Sequence, residues 1–220
     1  MKLVLASGSQ RRRELLTMCG YDYEIIVSNA DETIDESDPE NFVRALSFRK
    51  AKDVFDCLFA AGRRDFAVIG SDTVVAFQKE GETKPVIIGK PKDAEDAVRI
   101  LSMLSGKTHR VFTGVSVIAD IPDENAAAQC SIREKAEIQT ECSITEVTFE
   151  TLSPNEITDY VNSGDPLDKA GSYGIQGPFG MFVREIRGNY FTVIGMPIPV
   201  LYKMLKKIGI LPHGFYERIE

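Results

Sequence analysis

The chain has 220 residues, of which 33 are acidic and 26 basic, and its formal net charge is -7. Hydrophobic residues make up 43% and charged residues 27%, a composition typical of a globular protein that can bury a core. A negative surface disfavours binding to a nucleic acid backbone or to an anionic membrane. Any anionic ligand must therefore be met by a local cluster of bases, by a metal, or by both.

The N-terminal segment and the cysteines predict a cytoplasmic protein. The apolar run Leu3–Ala6 is too short for a secretory signal, and no stretch reaches the roughly 18 apolar residues that a membrane span needs. Cys19, Cys57, Cys130 and Cys142 form no Cys-x-x-Cys pair, and the chain has only two histidines. A zinc site is therefore not expected, and we predict idle thiols in a reducing compartment.

The first predicted elements are a strand, a turn and two helices. A short buried strand covers Leu3–Ala6, and Ser7 or Ser9 in the following turn is expected to cap a helix over Gln10–Cys19. After an acidic loop, a longer helix is predicted over Glu40–Ala60.

The middle of the chain is predicted to consist mainly of strands. Phe66–Phe77 has the pattern of a strand that breaks near Gly70 and Ser71. The later elements are a strand at Val86–Ile88, a helix at Asp93–Ser105, a strand at Val111–Ala119, a polar irregular segment at Asp120–Glu137 and a strand at Ile138–Phe149.

The last part of the chain begins with a strong helix signal. Ser153-Pro154-Asn155-Glu156 is a capping box with proline at the first helical position. Met181–Ile186 and Tyr190–Ile194 are predicted to form a hairpin around Gly188-Asn189, and a final helix is predicted over Pro197–Lys207.

Strands and helices alternate along the chain, which favours an α/β fold with a mixed sheet and flanking helices. The sequence shows no internal repeat and no linker that would divide it. We therefore expect residues 1–220 to form a single domain.

A basic turn after the first strand is the first candidate site. Ser7, Ser9, Arg11, Arg12 and Arg13 lie where a strand gives way to a helix. Free backbone N–H groups and the helix dipole favour an anion there, and guanidinium groups match the geometry of phosphate. The alternative is a solvated basic first turn, but bases at that end oppose the helix dipole.

Two charged residues are predicted to be buried. Asp72 lies in the most apolar stretch of the chain, where a carboxylate is costly unless it is paired or binds a metal. Lys50 lies four residues after Leu46 and four before Val54, on the inward stripe of its helix. It therefore requires an anion, unless its side chain extends along the helix edge to solvent.

Three further residues could contribute to the same site. Glu32 lies in an acidic loop, and together with Asp72 it would supply the one or two carboxylates that a triphosphate-bound metal needs. Lys90 ends a strand in Gly89-Lys90-Pro91. Gln176 follows a glycine-rich segment that permits close approach to a ligand, and its amide can both donate and accept, as reading a base edge requires.

Taken together, these motifs resemble those of the Maf-type nucleotide pyrophosphatases. The opening LVLASGSQRRRELL is similar to the family pattern LxLASxSPRRxELL, with Gln10 in place of proline. Four further segments match family patterns over about residues 2–207: SDTVV, GKP, LSGKTHRVFTGV and GDPLDKAGSYGIQG. The segments Phe77–Pro85 and Asp120–Glu137 are longer than in the compact family pattern.

The resemblance implies roles for individual residues. Asp72 would be the general base, and Glu32 would occupy an acidic metal-site position. Arg12, Thr73 and Gln176 match the positions that set substrate choice in the dTTP/UTP branch. The phosphate-binding residues would be Ser7, Ser9, Arg11, Lys50 and Lys90.

The resemblance also implies an activity, a fold and partners. The expected fold is elongated, with two lobes around a central cleft, and family members are often homodimers. The expected reaction is hydrolysis of dTTP, UTP or a modified pyrimidine nucleotide to the monophosphate and pyrophosphate, with Mg²⁺, Mn²⁺ or Co²⁺ as the divalent metal. Neither nucleic acid nor membrane is an expected partner.

Two alternatives remain open at this point. One is the 7-methyl-GTP branch or another house-cleaning pyrophosphatase, against which Thr73 and Gln176 argue. The other is a nucleotide-binding regulator of cell division that does not cut its ligand. Asp72 argues against a pure binder, since a carboxylate beside phosphates repels them.

Overall fold

A computed structural model describes residues 1–79, 81–121 and 136–214. In these ranges the chain forms a seven-stranded mixed sheet with helices on both faces, which confirms the predicted α/β class. The strands are β1 (Lys2–Leu5), β2 (Glu24–Ile25), β3 (Phe66–Phe77), β4 (Val86–Ile88), β5 (Thr108–Asp120), β6 (Ala136–Phe149) and β7 (Val183–Arg187). The helices are α1 (Gln10–Met18), α2 (Pro39–Ala60), α3 (Ala94–Leu104), α4 (Pro154–Asn162), α5 (Tyr190–Ile194) and α6 (Ile198–Lys207).

The centre of the sheet is strand β3, which has different neighbours along its two edges. One edge pairs antiparallel with β5 along most of its length. The other edge pairs parallel with β1 over Phe66–Ile69 and antiparallel with β4 over Val75–Phe77. Neither β1 nor β4 pairs with the five residues between them, 70–74. We call this stretch the β3 gap.

Helix α2 lies directly on the sheet because two glycines allow it to approach. A Cβ on Gly70 would lie 2.1 Å from the carbonyl oxygen of Ser47, and one on Gly114 would lie 2.2 Å from that of Val43. The predicted break of β3 near Gly70 is therefore wrong: the strand is continuous, and the glycine accommodates the helix.

The hydrophobic core consists of separate clusters on the two faces and at the distal end of the sheet. On the face opposite α2, residues of α1 and α6 pack on β1, β3 and β5, with Leu16 and Leu201 fully buried. At the end of the sheet where β4 pairs with β3, α3 and α4 pack around Leu101, Phe149 and Phe179. We call this second cluster the distal core. The β3 gap lies between the two clusters.

Side-chain caps define the starts of most of the predicted helices. Asp38 and Asp93 cap α2 and α3, and the capping box of Ser153 and Glu156 is present at α4, as predicted. The serine cap predicted for α1 is wrong, because Ser9 occupies the cap position without a side-chain cap hydrogen bond.

The hairpin predicted around Gly188-Asn189 is also wrong. The first segment forms β7, but Tyr190–Ile194 is a short helix rather than a strand. The Asn189 side chain accepts from the backbone N–H of Phe191 at its start, and Gly195, with φ 109°, ends it. These two caps override the strand preference of an aromatic and β-branched sequence.

Two further predictions concern the polar segment and the thiols. Strand β5 continues to Asp120 and β6 starts at Ala136, so both strands extend into the segment that was predicted to be irregular. Residues 122–135, including Cys130, lie outside the described ranges. Cys19, Cys57 and Cys142 are free thiols.

Among the described residues, none of the helices combines the length and apolar character that a membrane span requires.

Candidate active site

A cleft of about 710 Å³ opens at the β3 gap. It forms because neither β1 nor β4 extends beside residues 70–74, so both faces of β3 reach the same opening. Ten of the residues singled out from the sequence line this cleft: Ser7, Ser9, Arg11, Arg12, Glu32, Lys50, Asp72, Thr73, Lys90 and Gln176. Arg13, the last residue of the basic turn, is not among the lining residues. These ten residues come from the turn after β1, from α1, the acidic loop, α2 and β3, and from two later loops.

Lys50 and Asp72 form a largely buried ion pair in the cleft. The Lys50 Nζ atom lies 2.7 Å from Oδ1 of Asp72, and their side chains are 12% and 11% exposed. The same Nζ lies 3.0 Å from Oε1 of Glu32, whose side chain is 64% exposed. Lys50 therefore has the anionic partner that its place on the inward stripe requires, and it joins the two predicted metal-site carboxylates.

Arg12 is held by three different elements at the other side of the gap. Its Nε donates to the carbonyl oxygen of Gly195 at 2.8 Å, one terminal nitrogen donates to Oγ of Ser7 at 3.1 Å, and the other donates to Oγ1 of Thr73 at 3.4 Å. Burial lowers the pKa of Arg12, while the charge of Asp72 opposes that shift. The guanidinium is thus a fixed donor rather than a mobile surface charge.

Arg11 is linked to a network that sequence reasoning did not assign to the site. Its side chain pairs with Asp168 at 3.2 Å, and Asp168 pairs with Lys169 at 2.7 Å. Burial raises the pKa of Asp168, but the hydrogen bond from Lys169 and the charge of Arg11 outweigh it and leave the pKa below its usual value.

The network continues into the distal core. Lys169 also pairs with Asp165 at 2.9 Å, and Asp165 accepts a hydrogen bond from the Tyr160 hydroxyl at 2.5 Å. That hydroxyl accepts from the backbone N–H of Gly174 at 3.0 Å, just before Gln176. Burial is the largest of the causes that raise the pKa of Tyr160, and the hydrogen bond to Asp165 raises it further. The network therefore anchors the loop that carries Gln176.

Lys90 and Gln176 occupy exposed positions at the rim of the cleft. Their loops are joined by the hydrogen bond from the Gly171 N–H to the carbonyl oxygen of Gly89 at 3.0 Å. Asp168 and Lys169 belong to the glycine-rich segment that the sequence singled out, but no role in the site was predicted for them or for Asp165. The signal for this network was the run of charged residues inside the glycine-rich segment.

The donor set of the cleft limits the kind of metal that it can hold. Glu32 and Asp72 are its two candidate ligands, and they meet at Lys50. Across the three described ranges, no group of three or more His, Cys, Asp or Glu side chains could hold a metal ion. This arrangement fits an ion such as Mg²⁺ that is held by one or two carboxylates together with the phosphates of a ligand, and it does not fit a complete cage of protein ligands.

Comparison with known proteins gives relatives of nearly the same length. A dTTP/UTP pyrophosphatase of Bacillus thuringiensis subsp. konkukian is 43% identical over 210 residues, which cover 95% of this chain and 96% of the relative. A dTTP/UTP pyrophosphatase of Agathobacter rectalis is 40% identical over 217 residues, which cover 95% and 98%. Among solved structures, that of the Staphylococcus aureus Ham1 protein covers 94% of this chain and 100% of its own, with 14% identity and a TM-score of 0.48.

The family comparison covers almost the whole chain. The family described as Maf-like protein matches residues 2–208, a range that contains all of the strands and helices described above as well as the cleft. The resemblance first seen in five short motifs therefore extends over the whole fold, and the chain belongs to the Maf family.

Proposed function

We propose that this protein is a nucleoside triphosphate pyrophosphatase that hydrolyses dTTP and UTP to the monophosphate and pyrophosphate. The observation that carries the proposal is the cluster of Lys50, Asp72 and Glu32 at the β3 gap, with Arg12 fixed at the other side of the cleft. The relatives at 40–43% identity that are named dTTP/UTP pyrophosphatases support the choice of substrate.

The chemistry proposed for the chain's own residues follows from their positions. Ser7, Ser9 and Arg11 bind phosphate oxygens at the α1 turn, where backbone N–H groups and the helix dipole favour an anion. Lys50 and Lys90 neutralise the charge that spreads over these oxygens in the transition state. Asp72 accepts a proton from the water that attacks the phosphate, as a general base.

A divalent metal completes this proposal. Held by Glu32 and Asp72, an ion such as Mg²⁺, Mn²⁺ or Co²⁺ would neutralise phosphate charge and make a bound water more acidic. We expect EDTA to abolish turnover and added Mg²⁺ or Mn²⁺ to restore it.

The base is proposed to lie at the opposite side of the gap. There Arg12, Thr73 and Gln176 offer hydrogen-bond donors and acceptors from three different elements. A pyrimidine edge with two carbonyl groups and one N–H matches such a set.

We further propose that the whole chain forms one domain whose two lobes enclose the cleft, and that it acts as a homodimer in the cytoplasm. The continuous sheet, which runs on both sides of the β3 gap, supports a single domain.

Asp72→Asn tests the proposed chemistry. We expect turnover to fall by a factor of about 100 or more, because a general base is lost, while nucleotide binding stays within a few-fold of the wild type. The measurement is pyrophosphate release from dTTP, UTP, CTP, 7-methyl-GTP and ITP, combined with calorimetric binding. Near-normal turnover by the variant would contradict the assignment of Asp72 as the general base.

The control is Asp159→Asn, which changes an exposed carboxylate on α4 that does not line the cleft. It should leave turnover unchanged. Preference of the wild type for 7-methyl-GTP or ITP would redirect the proposal to another branch of the family. Binding without any metal-dependent turnover would favour a regulatory role.

A further inference from the structure

A buried row of hydroxyl groups supports the base side of the cleft. Thr73 on β3 and Thr113 on β5 are directly paired in the sheet register, and their Oγ1 atoms lie 3.0 Å apart. The Thr113 side chain is completely buried and donates to the backbone carbonyl of Thr192, in α5, at 2.7 Å. Thr73 is only partly buried and lines the cleft.

These contacts determine which way the hydrogen bonds run. A threonine hydroxyl has one proton, and a carbonyl oxygen can only accept. The Thr113 proton is therefore used on the Thr192 carbonyl, so Thr113 must accept from Thr73. The single hydroxyl proton of Thr73 therefore lies in the hydrogen bond to Thr113 and points away from the cleft.

The Thr73 oxygen can then only accept from anything in the cleft. One of its lone pairs already faces the guanidinium of Arg12 at 3.4 Å. The other is left for a ligand. A phosphate oxygen has no proton to give, so Thr73 disfavours phosphate at this point and requires a ligand donor instead.

Arg12 and Thr73 thus form a fixed donor–acceptor pair side by side. Uracil and thymine present a carbonyl oxygen next to an N3–H group, which is the complementary acceptor–donor pair. Cytosine has a bare N3 acceptor at the same place, which would face the Thr73 lone pair without a proton between them.

Building on the proposed function, we propose that Thr113 is a positioning residue that makes the enzyme select the imide N3–H of uracil and thymine over cytosine. It acts through Thr73, whose proton it holds away from the cleft. Without the Thr113 oxygen, the Thr73 hydroxyl can turn and donate to the cytosine N3, and the discrimination is lost.

The test compares kcat/KM for UTP and CTP in Thr113→Val and Thr113→Ser. Valine keeps the β-branched shape and removes the acceptor, so we expect the UTP/CTP ratio to fall roughly ten-fold, the contribution of about one hydrogen bond. Serine keeps the hydroxyl and should keep the ratio. If both activities fall together and their ratio is unchanged, Thr113 has only a structural role, which contradicts the proposal.

Thr113→Cys provides a second comparison if the valine variant does not fold, because cysteine has the unbranched shape of serine but its sulfur is only a weak acceptor. It should lower the ratio relative to Thr113→Ser. The role of Thr113 would be overturned if the valine and cysteine variants both kept the wild-type UTP/CTP ratio. If the valine variant does not fold, a wild-type ratio in the cysteine variant alone would overturn it. A wild type that releases no pyrophosphate from either nucleotide would instead remove the proposed function, and this inference with it.

Discussion

At the scale of single residues, the site depends on charges that are costly to bury. Lys50 and Asp72 were found from the sequence because an ionised group in an apolar context needs a partner. The structure shows that they are each other's partner. Thr113 could not be found in this way, because its importance depends on Thr73, 40 residues away, and on the direction of a hydrogen bond.

The importance of Lys50 can be tested with its neighbour on the same helix. In Lys50→Met the carboxylates of Asp72 and Glu32 lose their shared cation, and the proposed phosphate contact is lost. We expect kcat/KM to fall about 100-fold, the usual cost of one electrostatic contact to the transition state.

Lys52→Met is the matched control, since Lys52 lies two residues on, is exposed and pairs with Asp56. It should keep wild-type kinetics. Melting temperatures of both variants separate a loss of catalysis from a loss of structure, and equal kinetics for the two would contradict a special role of Lys50.

At the scale of elements, the sequence predicted most of the strands and helices but not their contacts. The helix starts at Asp93 and Ser153 could be predicted from the sequence, because a helix cap involves only residues that are close together in the chain. The helical state of Tyr190–Ile194 was not, since that segment has a strand-like composition and its conformation is set by caps at both ends. Likewise, Gly70 and Gly114 were not recognised as contact points, because the α2 backbone that they face is distant in sequence.

The glycine contact under α2 predicts a large loss of stability. In Gly114→Ala the new methyl group would lie 2.2 Å from the Val43 carbonyl oxygen, so α2 must move away from the sheet. We expect the free energy of unfolding to fall by about 3 kcal/mol or more, measured by urea denaturation.

Gly89→Ala is the control, because a Cβ there meets nothing within 4 Å and the residue does not need a left-handed conformation. Its unfolding midpoint should stay close to that of the wild type. An unchanged midpoint in Gly114→Ala would mean that α2 can shift without loss of packing.

At the scale of the whole molecule, the distal core contains a histidine that does not titrate in the normal range. His109 packs against Phe149 and hydrogen-bonds the Tyr173 hydroxyl at 3.0 Å. Burial lowers the pKa of His109 from its ordinary value of 6.5 to about 3. Burial likewise raises the pKa of Tyr173. Both groups are therefore neutral in the folded protein at neutral pH.

This burial predicts a pH dependence of stability. The unfolded chain takes up a proton at His109 as the pH falls below about 6.5, whereas the folded chain does not until about pH 3. The contribution of His109 to stability is thus fully present above pH 6.5 and is lost as the pH falls. By about pH 4.5 the loss should be roughly 3 kcal/mol.

Urea denaturation at several pH values between about 7 and 4.5 checks this expectation. His109→Gln should show a weaker dependence on pH than the wild type, whatever its stability at neutral pH. Identical slopes in the wild type and His109→Gln would contradict the expectation.

The β3 gap has one more consequence, for aggregation and for stability. An unpaired strand edge normally invites another chain to pair with it, and proteins protect such edges. Here the edge that β1 and β4 leave unpaired is only five residues long and lies between these two strands in the interior of the sheet, so a second polypeptide has no straight path to it. A small ligand does. A nucleotide bound there would fill the position that a neighbouring strand leaves open. Because it binds only the folded state, the substrate would increase the free energy of unfolding by mass action.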